Sequence, residues 1–557
     1  MPPSFPADWL QDKYSDRKKS IIESPQEDKM NILIAAAEND ALPGGKVGGL
    51  GDVIRDIPPA IAKKGCRVKV IIPSYGFLHK QDSKWIGSVH FFFGGKNQSA
   101  EIYMVRGKIS QSDVKHFVVD HPIFIAPGNA QANRTFYSYD PPERPFATDA
   151  SKYALFCTAV AEAITKSIFG PIDCMHLHDW HTAFILILRQ FHENYLALKK
   201  IRTVYSIHNL SMQGIRPFKD SDSSLESWYP GLNYRWSDLA DPRWPNCINP
   251  MAAAIRLADV VHTVSPSYAE EIQKTSDKPR FYGAEGLEND IRSTWDEGRL
   301  FGILNGCEYP DRTIAHRLNF SDLLQLLKSN LINWAGHQQT VSASVFVAYA
   351  RLTELIAKSE RPNVFVTSVC RLSDQKIFLM HQAGSTLESG LVGILDGLGT
   401  QGLYVLLGTG DKKFEIFLTE ISSRFSNFIF LNGYSDDCAD ALYSNGDLFL
   451  MPSSFEPCGI SQMLAMRNGQ PCLVHEVGGL KDTVTNGITG FTFKGKTVEN
   501  QVDNFVGSFL NALEIRRNHP KQWRQICKNA SAARFLWRDT VNRYFEKLYR
   551  IQCNSEK

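Results

Sequence analysis

Asn31-Ile-Leu-Ile-Ala-Ala-Ala37 is a continuous apolar run, and it leads through a Gly/Pro-rich turn to Lys46-Val47-Gly48-Gly49-Leu50-Gly51-Asp52. From Asp52 the sequence continues Val-Ile-Arg-Asp-Ile-Pro-Pro-Ala-Ile-Ala-Lys-Lys-Gly65, with apolar residues at helical spacing. The order is strand, loop, helix. Val68-Lys-Val-Ile-Ile-Pro73 closes the unit as a second strand, because buried parallel strands read as short runs of this kind. The alternation recurs with strand ends around Asp173-Cys-Met-His-Leu-His178, Thr203-Val-Tyr-Ser-Ile-His208 and Val260-Val-His-Thr-Val-Ser265.

A second series follows an irregular middle: Val364-Phe-Val-Thr-Ser-Val369, Leu403-Tyr-Val-Leu-Leu-Gly408, Phe428-Ile-Phe-Leu431 and Asp447-Leu-Phe-Leu-Met-Pro452. The pattern predicts an α/β protein of two doubly wound halves. Ligands in such sheets bind beyond the carboxyl ends of the strands, so two facing sheets make a cleft. The expected division is an extension over 1–29, a first half over 30–312, an unassigned segment over 313–360, a second half over 361–532 and a terminal helix over 533–557. That last stretch is amphipathic at helical period and should pack on one of the halves.

A length of 557 residues exceeds what one core usually supports. Charged residues make up 22% and the formal net charge is +2, which removes the broad electrostatic reason to expect nucleic acid or an anionic membrane as partner. The 11 cysteines, Cys66 to Cys553, include no C-x-x-C pair, and a reducing cytosol is the simplest home. Residues 1–29 carry Asp8, Asp12, Asp16, Glu23 and Asp28, too acidic for a transit peptide, and read as a soluble, mobile extension. Nowhere do about 18 apolar residues run together, as a membrane span would require.

Paired glycines between the first strand and its helix let backbone N–H groups approach a ligand, and Lys46 adds a cation, so a phosphate or sugar hydroxyl fits there. A tight strand-to-helix connection explains the same glycines. His176-Leu-His178-Asp179-Trp180-His181 invites a zinc reading, yet no Glu follows at metalloprotease spacing. A hydrogen-bonding site with His176 facing the cleft is the better functional reading, with a satisfied core histidine as the alternative. Arg371 and Lys376 follow a strand and can converge on a diphosphate, one as a planar fork and one as a point charge. Glu456, in Phe455-Glu456-Pro457-Cys458-Gly459, also sits past a strand end, and a helix N-cap is its bland alternative. Gly478-Gly479-Leu480 repeats the glycine-pair logic at another helix start.

Taken in order, these motifs resemble the bacterial glycogen synthase and plant starch synthase family. Those that carry the likeness are Lys46-x-Gly48-Gly49-Leu50, His176-x-His178-Asp179-Trp180-His181, Ile207-His208-Asn209-Leu-x-x-Gln213-Gly214 and Val264-Ser265-Pro266-Ser267-Tyr268-Ala269-Glu270-Glu271-Ile272. Further along stand Tyr282-Gly283-x-Glu285-Gly286-Leu287, Ile303-Leu304-Asn305-Gly306, Arg371-Leu-x-x-Gln375-Lys376 and Phe455-Glu456-Pro457-Cys458-Gly459. The resemblance covers roughly residues 30 to 550. It implies the GT-B fold of two Rossmann-like domains, ADP-glucose as donor, glycogen or another α-1,4-glucan as acceptor and transfer with retention. It also implies a cytoplasmic enzyme with no metal or cofactor and no nucleic-acid or membrane partner. By family position Lys46, Gly48, Gly49, Arg371 and Lys376 hold the diphosphate, Gly478 and Gly479 donate backbone N–H groups, and Gly459 and Leu480 belong to the same donor site. Glu456, His176 and Asp149, with Lys46, make up the implied catalytic set.

Departures stand at Ala252-Ala253-Ala254, where the family has Lys-Ala-Gly, at Cys307-Glu308-Tyr309-Pro310 after Asn305-Gly306, and at Ile377 where a Gly is expected. A sucrose-synthase-type site would need a second glutamate separated from Glu456 by seven intervening residues, and the residue at that position is Leu464. No lysine stands in the context of a phosphorylase cofactor site. A UDP-glucose-dependent relative and a catalytically inactive glucan-binding homologue are the alternatives.

Overall fold

The computed structural model describes residues 29–109, 113–125, 136–309, 317–337, 340–358 and 360–549. Residues 1–28 of the expected extension, parts of 313–360, Pro310 and residues 550–557 of the expected terminal helix lie outside the described residues.

Seventeen strands are formed among the described residues. In the first half they are β1 (Asn31–Ala35), β2 (Arg67–Pro73), β3 (Ser83–Phe93), β4 (Lys96–Val105), β5 (Val114–Asp120), β6 (Cys174–His178), β7 (Arg202–Ile207), β8 (Arg216–Pro217), β9 (Cys247–Ile248), β10 (Val260–Thr263) and β11 (Leu300–Gly302). In the second they are β12 (Val364–Val369), β13 (Gly402–Gly408), β14 (Phe428–Asn432), β15 (Leu448–Met451), β16 (Cys472–His475) and β17 (Gly490–Phe493). The first sheet runs β11-β10-β7-β6-β1-β2-β5-β4-β3, and the second β14-β13-β12-β15-β16-β17. Every pairing in the second sheet is parallel. In the first sheet only β3–β4 and β4–β5 are antiparallel.

Strand β1 is buried along its whole length, which is why its sequence is apolar without alternation. The helix Gly49–Ala62 turns Val53, Ile54, Ile57 and Ile61 inward and runs on through Pro58 and Pro59. Apolar clusters cover both faces of the second sheet, the arrangement of a doubly wound fold. The helices Phe320–Gly336 and Ala343–Lys358 supply Leu323, Leu327, Leu331, Ala348 and Leu352 to one of these clusters, together with Phe365 and Leu403. The last helix, Trp537–Lys547, returns to the first half. There Trp537, Val541, Tyr544, Leu548 and Tyr549 join the same core as β1 and β6. Among the described residues no helix is long and apolar enough to cross a membrane.

Candidate active site

The loop after β1 folds around a carboxylate. Glu38, 3% exposed, accepts the N–H of Val47 (2.8 Å) and of Gly48 (2.6 Å), and Tyr137 donates its hydroxyl to the other oxygen at 2.6 Å. Lys46 Nζ is held by Asp52 at 2.6 Å. Gly48 is extended (φ −132°, ψ −173°), a conformation open to any residue, so the backbone does not demand glycine here. What glycine leaves is space. A Cβ on Gly48 would stand 3.4 Å from Glu38 Oε1 and 3.7 and 3.8 Å from the Arg371 guanidinium nitrogens, while one on Gly49 would meet nothing within 4 Å. The first-half glycine loop and the second-half arginine therefore face each other.

From the second half, Arg371 follows β12 and Lys376 lies in the first turns of the helix Asp374–His381. Glu456 follows β15. Its loop is tied to the Lys376 turn, since Ser454 N–H donates to Gln375 O (2.8 Å) and Gln375 Nε2 to Phe455 O (3.1 Å). Lys376 and Glu456 are ion-paired. Gly459 has φ +77°, where a side chain would be strained.

Two expectations are corrected by hydrogen bonds already in place. Gly478 N–H donates to Glu271 Oε1 (2.8 Å) and Gly479 N–H to Glu456 O (3.0 Å), so neither is free for a phosphate. Leu480 is fully buried in the core of the second sheet, an anchor for its short helix rather than a ligand contact.

His176 does not face the cleft. It is fully buried, with Nδ1 at 2.7 Å from Tyr549 Oη and Nε2 at 2.6 Å from Ser206 Oγ, because the turn after the helix Trp537–Lys547 covers that face of β6. Burial drives its pKa well below the ordinary value. Asp149 is also committed: it accepts Ser138 N–H at 3.1 and 3.0 Å and pairs with buried Lys152 at 2.6 Å. Two residues that the sequence reading left without a role stand instead at the strand ends. Asp179 follows β6 with φ +56°, a strained conformation for a non-glycine residue, and accepts His208 N–H at 2.7 Å. Burial lifts its carboxyl to about 7, and the charge of Glu38 adds to the effect. His208 follows β7, half-buried, with Nε2 at 2.8 Å from His178 Nδ1, and burial lowers its pKa to about 3. Glu38, Asp179 and His208 thus cap three adjacent strands, β1, β6 and β7. Both histidine and aspartate lie in quoted motifs. The signal that separates them from His176 is position, since they follow the strand and His176 is inside it.

The family departures fall on packing positions. Ala252, Ala253 and Ala254 are fully buried in the helix Pro250–Leu257, and Ile377 is fully buried in the second core. Cys307 N–H donates to Phe535 O at 2.7 Å at the return of the last helix. Among the described residues no three His, Cys, Asp or Glu side chains are grouped to hold a metal ion.

The halves also meet through the helix Pro266–Glu271 and the segments around it. Tyr282 stacks on Phe455 with ring centroids 4.5 Å apart, Ser265 Oγ donates to Pro457 O (2.6 Å), and Ser267 donates its N–H and Oγ to Asp482 (2.9 and 2.7 Å). Tyr434 stands half-exposed after β14 and donates its hydroxyl to Asp436 Oδ1 at 2.9 Å.

Two mainly parallel α/β sheets bring their strand ends and cationic side chains to one cleft, the arrangement of a GT-B fold, and the comparisons with known proteins make it a glycosyltransferase. Residues 31–293 match the model of the starch synthase catalytic domain and residues 398–528 that of glycosyl transferases group 1. The glycogen synthase of Streptococcus uberis is 32% identical over 542 residues, spanning 93% of this chain and 99% of that protein. The glycogen synthase of Streptococcus pneumoniae is 34% identical over 543 residues, spanning 94% and 100%. Among solved structures, the catalytic domain of starch synthase IV from Arabidopsis thaliana bound to ADP and acarbose superposes with a TM-score of 0.69 at 25% identity, covering 93% of this chain and 98% of that one. The sucrose-phosphate synthase of Thermosynechococcus elongatus, with a TM-score of 0.52 at 15% identity over 94% and 99% of the two chains, shares the fold. This chain belongs to the glycogen synthase and starch synthase family.

Proposed function

We propose that the protein transfers glucose from ADP-glucose to the non-reducing end of an α-1,4-glucan with retention of configuration. The observation that carries the reading is the space kept open by Gly48 and Gly49 opposite Arg371. Glycine is not needed there for backbone geometry, the Arg371 guanidinium faces the gap, Lys46 belongs to the same loop, and Lys376 lies five residues past Arg371. A diphosphate in that gap meets positive charge from both halves. The kind of donor is supported by the ADP and acarbose bound to the Arabidopsis relative.

As the glycosidic C1–O bond to phosphate breaks, negative charge grows on the leaving ADP and positive charge on the sugar. Fixed cations at the phosphate stabilise that separation before solvent reorganises, usually the largest catalytic contribution. The acceptor hydroxyl attacks C1 from the face the phosphate leaves, its proton passing to the departing phosphate oxygen. Glu456 faces the glucosyl group and offers its carboxylate to the developing oxocarbenium character. His208, kept neutral by the desolvation of its ring, and Asp179 hold sugar hydroxyls from the opposite wall. Tyr434 offers a ring face on which the base stacks. With the phosphate charge met by side chains, no metal is asked for.

Lys46→Ala and Glu456→Ala test the assignment: each should cut transfer by ~10²-fold or more with the fold retained. Wild-type transfer in either would remove it.

A further inference from the structure

We infer that Glu271 is a positioning residue: it links closure of the cleft to the placement of Glu456. The inference rests on the reading that Glu456 faces the glucosyl group. Glu271 ends the helix Pro266–Glu271 of the first half. Its Oε1 accepts the N–H of Gly478 in the second half, 207 residues away in the chain. Such a bond exists only when the halves are together.

From Gly478 the connection continues without any flexible side chain. Gly478 has φ +42°, and a Cβ there would stand 1.9 Å from the Glu456 carbonyl oxygen. The next N–H, that of Gly479, donates to the same oxygen at 3.0 Å. A carboxylate from one half therefore fixes the turn on which the main chain of Glu456 rests. Holding it there opposes solvation. Burial raises its carboxyl to about 7, against the attraction of Lys481 and Lys274 and with the repulsion of Asp482.

A merely structural seam would not need this bond. Ser267 already clamps the same two helices through Asp482, with two hydrogen bonds that do not touch the Glu456 turn. Glu271 differs in reaching the turn itself.

The test uses the full chain with ADP-glucose and a glycogen primer. Glu271→Gln keeps an acceptor oxygen in place and loses the charge. Glu271→Asp keeps the charge and withdraws the acceptor by one methylene. The inference predicts that Glu271→Asp loses about tenfold or more in kcat with the donor KM changed much less, and that Glu271→Gln stays nearer wild type. Ser267→Ala should leave kcat near wild type. The inference is overturned if Glu271→Asp equals wild type, if Glu271→Gln falls below Glu271→Asp, or if Ser267→Ala loses as much as Glu271→Asp. Glu456→Ala, assayed alongside, separates the two readings. Wild-type activity in Glu456→Ala removes the assignment of the site, whereas an inactive Glu456→Ala beside a fully active Glu271→Asp removes only the role of Glu271.

Discussion

Lys376 and Glu456, eighty residues apart in the chain, form an ion pair whose side chains are only 15% and 8% exposed. The pair joins the residue assigned to the leaving phosphate to the residue assigned to the sugar. Donor binding must therefore draw part of the lysine's charge from Glu456 to the phosphate.

Removing one member of a buried pair leaves an uncompensated charge. Lys376→Met should cost about 3–5 kcal/mol of stability. The double variant Lys376→Met, Glu456→Gln should recover at least ~1 kcal/mol of that loss, measured by denaturant unfolding. Both proteins should transfer glucose ~10²-fold or more slowly than wild type. Strict additivity of the stability losses would show that the pair is not coupled.

Gly48→Ala separates space from backbone need. Because Gly48 is extended and its Cβ would lie at ordinary contact distances, stability should change by less than ~1 kcal/mol. The methyl group nevertheless enters the gap facing Arg371, so kcat/KM for the donor should fall by about tenfold or more. An unchanged kcat/KM would mean that the diphosphate does not use this gap.

His176 and His208 should part company. Replacing His176 by Phe strands the Tyr549 and Ser206 hydroxyls and should cost ~1–3 kcal/mol of stability. Its turnover, measured well below the melting temperature, should stay within about threefold of wild type. His208→Ala should do the reverse, losing ~10²-fold in turnover with little change in melting temperature.

Asp179 gives a signed pH dependence. Its carboxyl is raised from 3.8 to about 7 by burial. Between those values the unfolded chain is ionised there and the native protein is protonated, so stability falls as pH rises through the window. Above about 7 the full destabilisation is present; below 3.8 it vanishes. Asp179→Asn should therefore flatten the fall of melting temperature between pH 5 and pH 8. A variant as steep as wild type would contradict the assignment.

Much of the fold is legible in the sequence, because parallel strands buried on both faces leave unbroken apolar runs such as Asn31–Ala35 and Val364–Val369. The glycine loop, Arg371, Lys376 and Glu456 stand out because each follows such a run. The β3–β4 hairpin was missed although Gly94 and Gly95, both at positive φ, mark its turn. The helices over 320–358 were also missed, although Leu323, Leu324, Leu327 and Leu331 recur at helical spacing, since that stretch matches no family motif. Other errors concern what sequence does not encode locally. Nothing near His176 announces that Tyr549 will cover it, and nothing near Gly478 announces that Glu271 will take its N–H from the other half.

Glucose incorporation into a glycogen primer, from ADP-glucose and separately from UDP-glucose with a chelator present, tests the central claim most directly. Transfer from ADP-glucose that survives the chelator and exceeds that from UDP-glucose is the predicted result. Folded protein that transfers from neither donor would contradict it.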